Sequence, residues 1–475
     1  MRKKPEKKVL QDVLITGYAA EGKALARLIT DEGEPGKVLF VESVVPGDRA
    51  DVWVTKNKKD WAEGRPLKIT QFSKDRVVPF CKHFGVCGGC KWQMLPYHKQ
   101  LEYKQQEAEQ NIRRIGRQEN FLMLPIAAAP HTTAYRNKLE FTASNKEYIV
   151  DLTNHQEAPK AGALGFHVPR IFDKTIDIYE CHLMHDVNNQ IRNTVRDYAI
   201  KQDIAFYDIR EHTGWLRNII IRFCSTGELM VNVVINYDDP STLIPLLEHL
   251  LKNIPQINTL LYTINTKWND SIFDLKPVVF FGKGYVLERL GNFQFIISPK
   301  SFFQTNTAQA EKLYSIAAEF AALTGRETLY DLYCGTGSIG IYMSEKARKI
   351  IGVEIIEEAI EDAQKNAALN KINHIEFFAG DVIKICNNEF FSKHGKPDVI
   401  VTDPPRAGMH EKLVVKLLEI EAPKIVYISC NTATQARDIA LLAEKYRLEK
   451  LQPVDMFPHT HHIESVALLT LKINQ

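Results

Sequence analysis

Between Pro397 and Asn431 two short apolar runs each end in residues that can do chemistry. Residues 399–402 run into Asp403-Pro404-Pro405-Arg406, and residues 425–428 run into Ser429-Cys430-Asn431. Both runs read as buried strands flanked by helical sequence. In an open α/β sheet, chemistry collects beyond the carboxyl ends of parallel strands. An aspartate on a rigid Pro-Pro corner and a cysteine between polar neighbours are therefore expected side by side at one sheet edge. After a helix at 432–445, residues 454–469 read as strand six, a hairpin and an antiparallel strand seven. An antiparallel strand begins where its parallel neighbours end, which puts Glu464 opposite Cys430.

The preceding stretch supplies a cofactor site. From Glu327 onward strands and helices alternate: a strand at 329–334, then Gly335-Thr336-Gly337-Ser338-Ile339-Gly340 opening a helix. A strand at 349–355 carries Glu354 near its end, a helix spans 357–369, and a strand at 375–380 leads to Asp381. The glycines match G-x-G-x-x-G, a weak signal that dinucleotide sites share. The carboxylates favour S-adenosylmethionine. Asp331, just before the loop, would repel a pyrophosphate and suits an ammonium group. Glu354 can accept from both ribose hydroxyls, and Asp381 lies within reach of the adenine amino group. For NAD, only Glu354 is a comfortable neighbour.

A cysteine, a methyl donor, a carboxylate base and Asp403 point to methylation of a carbon that is not itself nucleophilic, such as C5 of uracil. Attack of the cysteine at C6 makes C5 nucleophilic, and a base then removes the C5 proton so that the cysteine can leave. A free thiol with a pKa of ~8.5 is mostly protonated at neutral pH, so proton loss must be favoured or coupled to attack. The target base must also leave its stack. Amino-group methylation is the competing enzyme class. Such sites carry N/D-P-P-Y/F without a cysteine, and Arg406 and Cys430 oppose it. A non-catalytic RNA-binding protein is opposed by the pair Cys430 and Glu464. His459, His461 and His462 lack the cysteine or carboxylate spacing of a metal site and read as solvated or RNA-facing.

Stepping toward the N-terminus, short strands at 13–17, 37–44, 51–55 and 66–70 with glycine turns suggest a small β-barrel of the OB type. Cys81, Cys87 and Cys90 follow with C-x5-C-x2-C spacing, and Cys181 in a polar stretch is the best fourth thiolate. Such a set suits zinc or a [4Fe–4S] cluster, and spacing alone does not choose. Cys224 and Cys386 sit in apolar sequence and read as packed. A polar helix spans 97–116. Strands at 135–142, 162–167, 218–223, 229–236, 260–265 and 278–285 are interleaved with helices at 186–201 and 241–252.

The chain of 475 residues has a net charge of +2, which by itself says little about partners. Residues 1–75 hold 15 Lys/Arg against 12 Asp/Glu, the excess lying in the first eight residues and around Lys56–Lys59. No apolar run approaches the ~20 residues of a membrane helix. The basic N-terminus lacks the apolar segment of a secretory leader. A cytoplasmic protein whose eight cysteines are thiols or ligands is expected.

With these residues in view, the chain resembles the RNA uracil-C5 methyltransferases. The resemblance rests on Ser298-Pro299-Lys300-Ser301-Phe302-Phe303-Gln304-Thr305-Asn306, on Asp331 through Gly340, on Asp403-Pro404-Pro405-Arg406-Ala407-Gly408, on Tyr427-Ile428-Ser429-Cys430-Asn431 and on His462-Ile463-Glu464-Ser465-Val466, in the family's order. It implies Cys430 as nucleophile, Glu464 as general base and Asp403 as a third catalytic group. Gln304, Tyr333, Gly335, Gly337, Ser338, Glu354, Asp381 and Asp403 would line the cofactor and uracil pocket. Ser338 departs from relatives that carry Asn there. The N-terminal region looks like a TRAM domain, an OB-type barrel, and Cys81, Cys87, Cys90 and Cys181 match the family's [4Fe–4S] ligands.

The implied fold is α/β: a Rossmann-like methyltransferase domain with a mostly parallel seven-stranded sheet, the barrel, and a central α+β domain holding the cluster. The implied boundaries are 1–74 for the barrel, 75–96 with 130–297 for the central domain, and 97–129 with 298–475 for the methyltransferase domain. The branch with both barrel and cluster is similar to the 23S ribosomal RNA enzymes. The tRNA enzyme of the family generally lacks both, which makes tRNA the second expectation. A monomer without a membrane partner is expected.

Overall fold

The computed structural model describes residues 8–29, 35–150 and 162–472; the basic run before Lys8 lies outside them. The chain divides into two compact units, residues 1–107 with 457–462 and residues 108–456 with 463–475. No helix among the described residues is long and apolar enough to cross a membrane.

The first unit contains a six-stranded sheet in the order Val9–Leu14, Arg49–Asn57, Trp61–Gln71, Pro35–Val41, Ala24–Ile29, Gly17–Tyr18. Its core is small: Ile15, Leu39, Val41, Val44 and Val52 pack with Ala24, Ala26 and Ala62. Strand Ala24–Ile29 was not anticipated, because its inward residues are alanines and carry little of the apolar alternation that marks a strand. Gly64 lets two strands approach closely, since a Cβ there would meet Val52 Cγ1 at 2.3 Å and the Trp53 carbonyl at 3.0 Å.

The second unit holds two large sheets. The first has seven strands in the order Thr175–Asp177, Ala163–His167, Lys138–Ser144, Leu216–Phe223, Leu229–Ile235, Ile257–Ile264, Val278–Phe281. Helices Val187–Lys201 and Pro240–Asn253 accompany it.

The second sheet has eight strands: β1 (Leu122–Met123), β2 (Thr328–Leu332), β3 (Lys349–Glu354), β4 (Ile375–Ala379), β5 (Val399–Thr402), β6 (Lys424–Ser429), β7 (Tyr446–Val454) and β8 (Glu464–Leu471). Their order is β4-β3-β2-β5-β6-β8-β7-β1. Strands β2 to β6 are mutually parallel, and β8 runs antiparallel to both β6 and β7. Every residue of β2 and β5 is buried. Such continuously buried runs mark parallel strands covered on both faces, and Asp331 is the charged exception in β2. Tyr330, Ile351, Ile400, Ile425 and Leu469 form the core with Leu413, Leu417, Ile439 and Leu442.

Three expectations need correction. The sheet has eight strands rather than seven, because β1 joins the edge by pairing with β7. Strand six is Tyr446–Val454, earlier than expected, and it pairs antiparallel with Glu464–Leu471 as the expected hairpin, closed by a loop of residues 455–463. The helix before it ends at Leu442, not 445. Arg447, Glu449 and Lys450 hid the strand, since three charged residues within four positions mask its apolar alternation. Helix Tyr97–Arg114 crosses the division between units, and its C-terminal residue Ile112 packs into the core of the second.

Candidate active site

Strand order reverses between β2 and β5, the place where a doubly wound sheet opens a crevice. Leu332 and Thr402 pair at the ends of these strands. The next residues, Tyr333 and Asp403, both line a cavity of ≈ 650 Å³, within the range of small-molecule sites. Gln304, Gly335, Ser338 and Glu354 line it too, beside Ser301, Phe302 and Phe303. Tyr333 adopts φ 61°. A bulky side chain in the left-handed region is strained and turns the chain sharply into the glycine loop.

The charged groups of the cavity wall are mostly carboxylates: Glu354, Glu358, Glu361, Asp362 and Asp403 against Lys300. Asp331 is fully buried, its Oδ2 accepts from the Gly340 N–H at 2.8 Å, and its Oδ1 has no hydrogen-bond partner among the described residues. Burial, opposed by that N–H and aided by Asp403 and Glu354, pushes its carboxyl up to about 7. Burial also pushes Asp403 up to about 7. Glu354 is held by backbone N–H groups, Oε2 by Gly335 at 3.2 Å and Oε1 by Ile355 and Ile356 at 2.8 and 3.1 Å. A buried carboxylate oxygen lacking a donor, next to an acidic cavity, fits a cationic ligand. The donor set thus suits the ammonium and sulfonium charges of S-adenosylmethionine and not a pyrophosphate.

Three of the expected cofactor residues, Asp331, Gly337 and Asp381, are not among those that line the cavity. Gly337 has φ 76°, and a Cβ there would meet the Phe377 ring at 2.8 Å, so its glycine serves the turn. Asp381 caps the short helix Val382–Ile385, its Oδ1 accepting from the Ile383 N–H at 3.0 Å. Ser338 lines the cavity and shares a 2.9 Å hydrogen bond with the Tyr314 hydroxyl, a partner not foreseen.

The β6–β8 ladder ends at Ser429 opposite Ser465, so Cys430 and Glu464 face each other one position further on. Cys430 directly precedes Asn431, whose side chain caps helix Thr432–Leu442 by accepting from the Ala433 and Thr434 N–H groups. A helix N-terminus favours a thiolate. Burial outweighs it, with the fields of Glu464 and Asp403, and pushes the Cys430 thiol up to about 11; Arg406 pulls the other way. Glu464 is buried, and burial together with Asp403 holds its carboxyl well above the usual range.

Several positioning residues were missed. Asp438 is buried in helix Thr432–Leu442 and accepts from the Tyr427 hydroxyl at 2.7 Å, the Met409 N–H at 2.8 Å and Arg437 Nη2 and Nε. Arg437 in turn donates to the Ala407 and Met409 carbonyls, so this network fixes the loop after Asp403. Gln435 donates to the Tyr427 carbonyl at 2.9 Å and accepts from the Ser465 hydroxyl, tying β6 to β8 beside the reacting edge. Asn137 donates to the Gln304 carbonyl and the Thr307 hydroxyl, both at 2.9 Å. Helical periodicity assigns Gln435 and Asp438 to a buried face, but only the fold shows their partners.

The cysteine loop belongs to the first unit. Cys81, Cys87 and Cys90 are half-buried in a turn-rich loop, Cys87 forming a β-bridge with Phe84, and the Gly89 N–H points at Cys87 Sγ at 3.4 Å. Cys181 belongs to the second unit, is buried, and donates its N–H to Asn189 Oδ1 at 2.8 Å. Among the described residues no group of three or more His, Cys, Asp or Glu side chains is arranged to hold a metal ion. Cys224 and Cys386 are buried as expected.

Sheet order, crevice and acidic cavity define an S-adenosylmethionine-dependent methyltransferase. A family model described as tRNA (uracil-5-)-methyltransferase matches residues 276–472. An "uncharacterized RNA methyltransferase" of Bacteroides thetaiotaomicron is 50% identical over 459 residues, covering 96% of this chain and 100% of the relative. One from Porphyromonas gingivalis is 47% identical over 464 residues, covering 96% and 98%. The crystal structure of the Pyrococcus abyssi tRNA (uracil-54, C5)-methyltransferase with S-adenosyl-L-homocysteine superimposes with a TM-score of 0.74 at 26% identity, covering 97% of this chain and all of that one. The chain belongs to the RNA (uracil-5-)-methyltransferase family.

Proposed function

We propose that this enzyme methylates C5 of a uridine in 23S ribosomal RNA through a covalent adduct at Cys430. S-adenosylmethionine, when bound, supplies the methyl group. Cys430 Sγ bonds to C6 as its thiol proton passes, by way of the Asp403 carboxyl, to O4, toward which the C5–C6 π electron pair moves. C5 takes the methyl group. Glu464 then removes the C5 proton as the C6–Sγ bond breaks, restoring the ring and releasing the cysteine. Asp403 touches the cavity and acts on both reacting groups. With an ordinary value displaced to about 7, it can donate to a ring oxygen near neutral pH. The observation that carries this reading is the register that aligns Cys430 with Glu464, next to an Asp403 that faces the cavity.

The remaining assignments are part of the same proposal. Gln304, Tyr333, Gly335, Ser338 and Glu354 hold the cofactor, with Gly337 and Asp381 shaping its loops. The six-stranded sheet of the first unit is read as the TRAM barrel. Cys81, Cys87, Cys90 and Cys181 are read as [4Fe–4S] ligands, supported by four thiols in the chain's donor set and by the N–H···S contact at Cys87. Methyl transfer needs no electron, so the cluster's role is structural or RNA-positioning.

A tRNA substrate is the second reading, and one observation favours it. A tRNA enzyme aligns over 97% of this chain, so full-length architecture does not separate the two substrates. Trapping on 5-fluorouridine RNA decides. Fluorine at C5 cannot leave as a proton, so the adduct persists. 23S ribosomal RNA fragments and tRNA, each carrying 5-fluorouridine, are incubated with and without S-adenosylmethionine. An adduct on ribosomal RNA alone, absent in Cys430→Ala, is expected. An adduct on tRNA alone moves the substrate, and none on either RNA, with cofactor binding intact, sinks the mechanism.

A further inference from the structure

Trp268 is 76% exposed although indole has more apolar surface to hide than any other side chain. It is not loose. Its ring lies on the His212 ring at 4.7 Å and 6°. His212 Nδ1 is bonded to the Tyr207 hydroxyl at 3.0 Å. The Arg217 guanidinium covers Tyr207 at 4.0 Å. Buried Arg217 also donates to the carbonyls of Asn265, Lys267 and Asn269 and to the Asp270 carboxylate. The loop carrying Trp268 is therefore pinned at four points, and one face of the indole is backed while the other meets solvent.

The same loop runs on to Phe273, whose side chain lines the cofactor cavity and whose carbonyl accepts from Lys300 Nζ at 2.8 Å. Five residues span at most about 18 Å. The backbone that carries the indole thus lies within that reach of a residue of the cavity wall. A target base that leaves its stack leaves its neighbours unstacked as well. An aromatic face is a sequence-tolerant substitute for the lost partner.

We infer that Trp268 is a stacking subsite for an unpaired RNA base flanking the uridine that is methylated. This rests on the RNA reading above. The experiment uses full-length enzyme, whichever of the two RNAs it methylates, and the variants Trp268→Ala and Trp268→Phe. Alanine should raise the KM for RNA about tenfold, with kcat at saturating RNA and S-adenosylmethionine affinity unchanged, and phenylalanine should recover most of the loss. 2-Aminopurine placed at successive flanking positions should be quenched by wild type at one of them and not by Trp268→Ala. An unchanged KM overturns the subsite. So does a self-association of wild type that Trp268→Ala abolishes without affecting RNA binding. Wild type that methylates neither RNA removes the parent reading and this one together, a result separable from a failure at Trp268 alone.

Discussion

Cys430 and Glu464 face each other one position beyond the Ser429–Ser465 pair that ends the β6–β8 ladder. Strands from opposite directions thus deliver a thiol and a carboxyl to one sheet edge. In the proposed mechanism Glu464 acts only after methyl transfer, so Glu464→Gln should leave addition intact and stall elimination. Denaturing gels should show a protein–RNA adduct accumulating with unsubstituted uridine RNA, with turnover reduced about 10²–10⁴-fold. A Glu464→Gln protein that binds cofactor and RNA yet forms no adduct would mean that another group is the base.

The acidic crevice makes stability depend on pH. Asp331 and Asp403 move from an ordinary 3.8 to about 7 because burial penalises their charged forms. The folded protein then keeps protons that the unfolded chain has released, so stability is greatest below about pH 4 for these groups and falls as pH rises to about 7. Glu464 acts in the same direction. Cofactor-free protein should melt at lower temperature above about pH 7 than near about pH 5, and Asp403→Asn should flatten that slope. Binding of cationic S-adenosylmethionine should release protons near neutrality, measurable by calorimetry in buffers of different ionisation enthalpy. Proton uptake there would contradict the assigned direction.

Much of this edge was legible beforehand because it is made of local signals. Apolar runs that end in Asp403 and Cys430 mark parallel strands, and antiparallel entry alone aligned Glu464 with Cys430. What stayed hidden depends on packing. Gln435, Asp438 and Asn137 are ordinary polar residues until the fold supplies the carbonyls and N–H groups that they serve. Gly337 and Asp381 carried the right motif, and the fold adds what the motif does not state: a turn that leaves no room for a Cβ at Gly337 and a helix cap at Asp381. Strand Tyr446–Val454 was obscured by the charges of Arg447, Glu449 and Lys450, and strand Ala24–Ile29 by alanines at its buried positions.

Asn137 links the seven-stranded sheet to the cofactor cavity. Its side chain holds the Gln304 carbonyl and Thr307 hydroxyl, and its backbone N–H donates to the Thr305 carbonyl at 2.7 Å. Asn137→Ala leaves the Gln304 carbonyl without this donor, so a loss of about 1–3 kcal/mol of stability is expected. Because Gln304 lines the cavity, S-adenosylmethionine affinity should fall about tenfold while adduct formation at saturating cofactor persists. Equal affinity in the variant and wild type would show that the loop is positioned without Asn137.

The cluster proposal predicts a colour. Protein purified without air should be brown and contain iron and acid-labile sulfide in equal amounts, as a cubane held by thiolates requires. Cys87→Ala removes the sulfur that the Gly89 N–H addresses at 3.4 Å, and Cys181→Ala removes the thiol whose backbone is anchored by Asn189. Each should lose both the absorbance and the iron. Cys224→Ala is the control: that thiol is buried, and burial raises it far above its ordinary value, so it is a packed group rather than a ligand. The control should stay brown. Colourless wild type with stoichiometric zinc would replace iron–sulfur with a structural zinc site on the same cysteines.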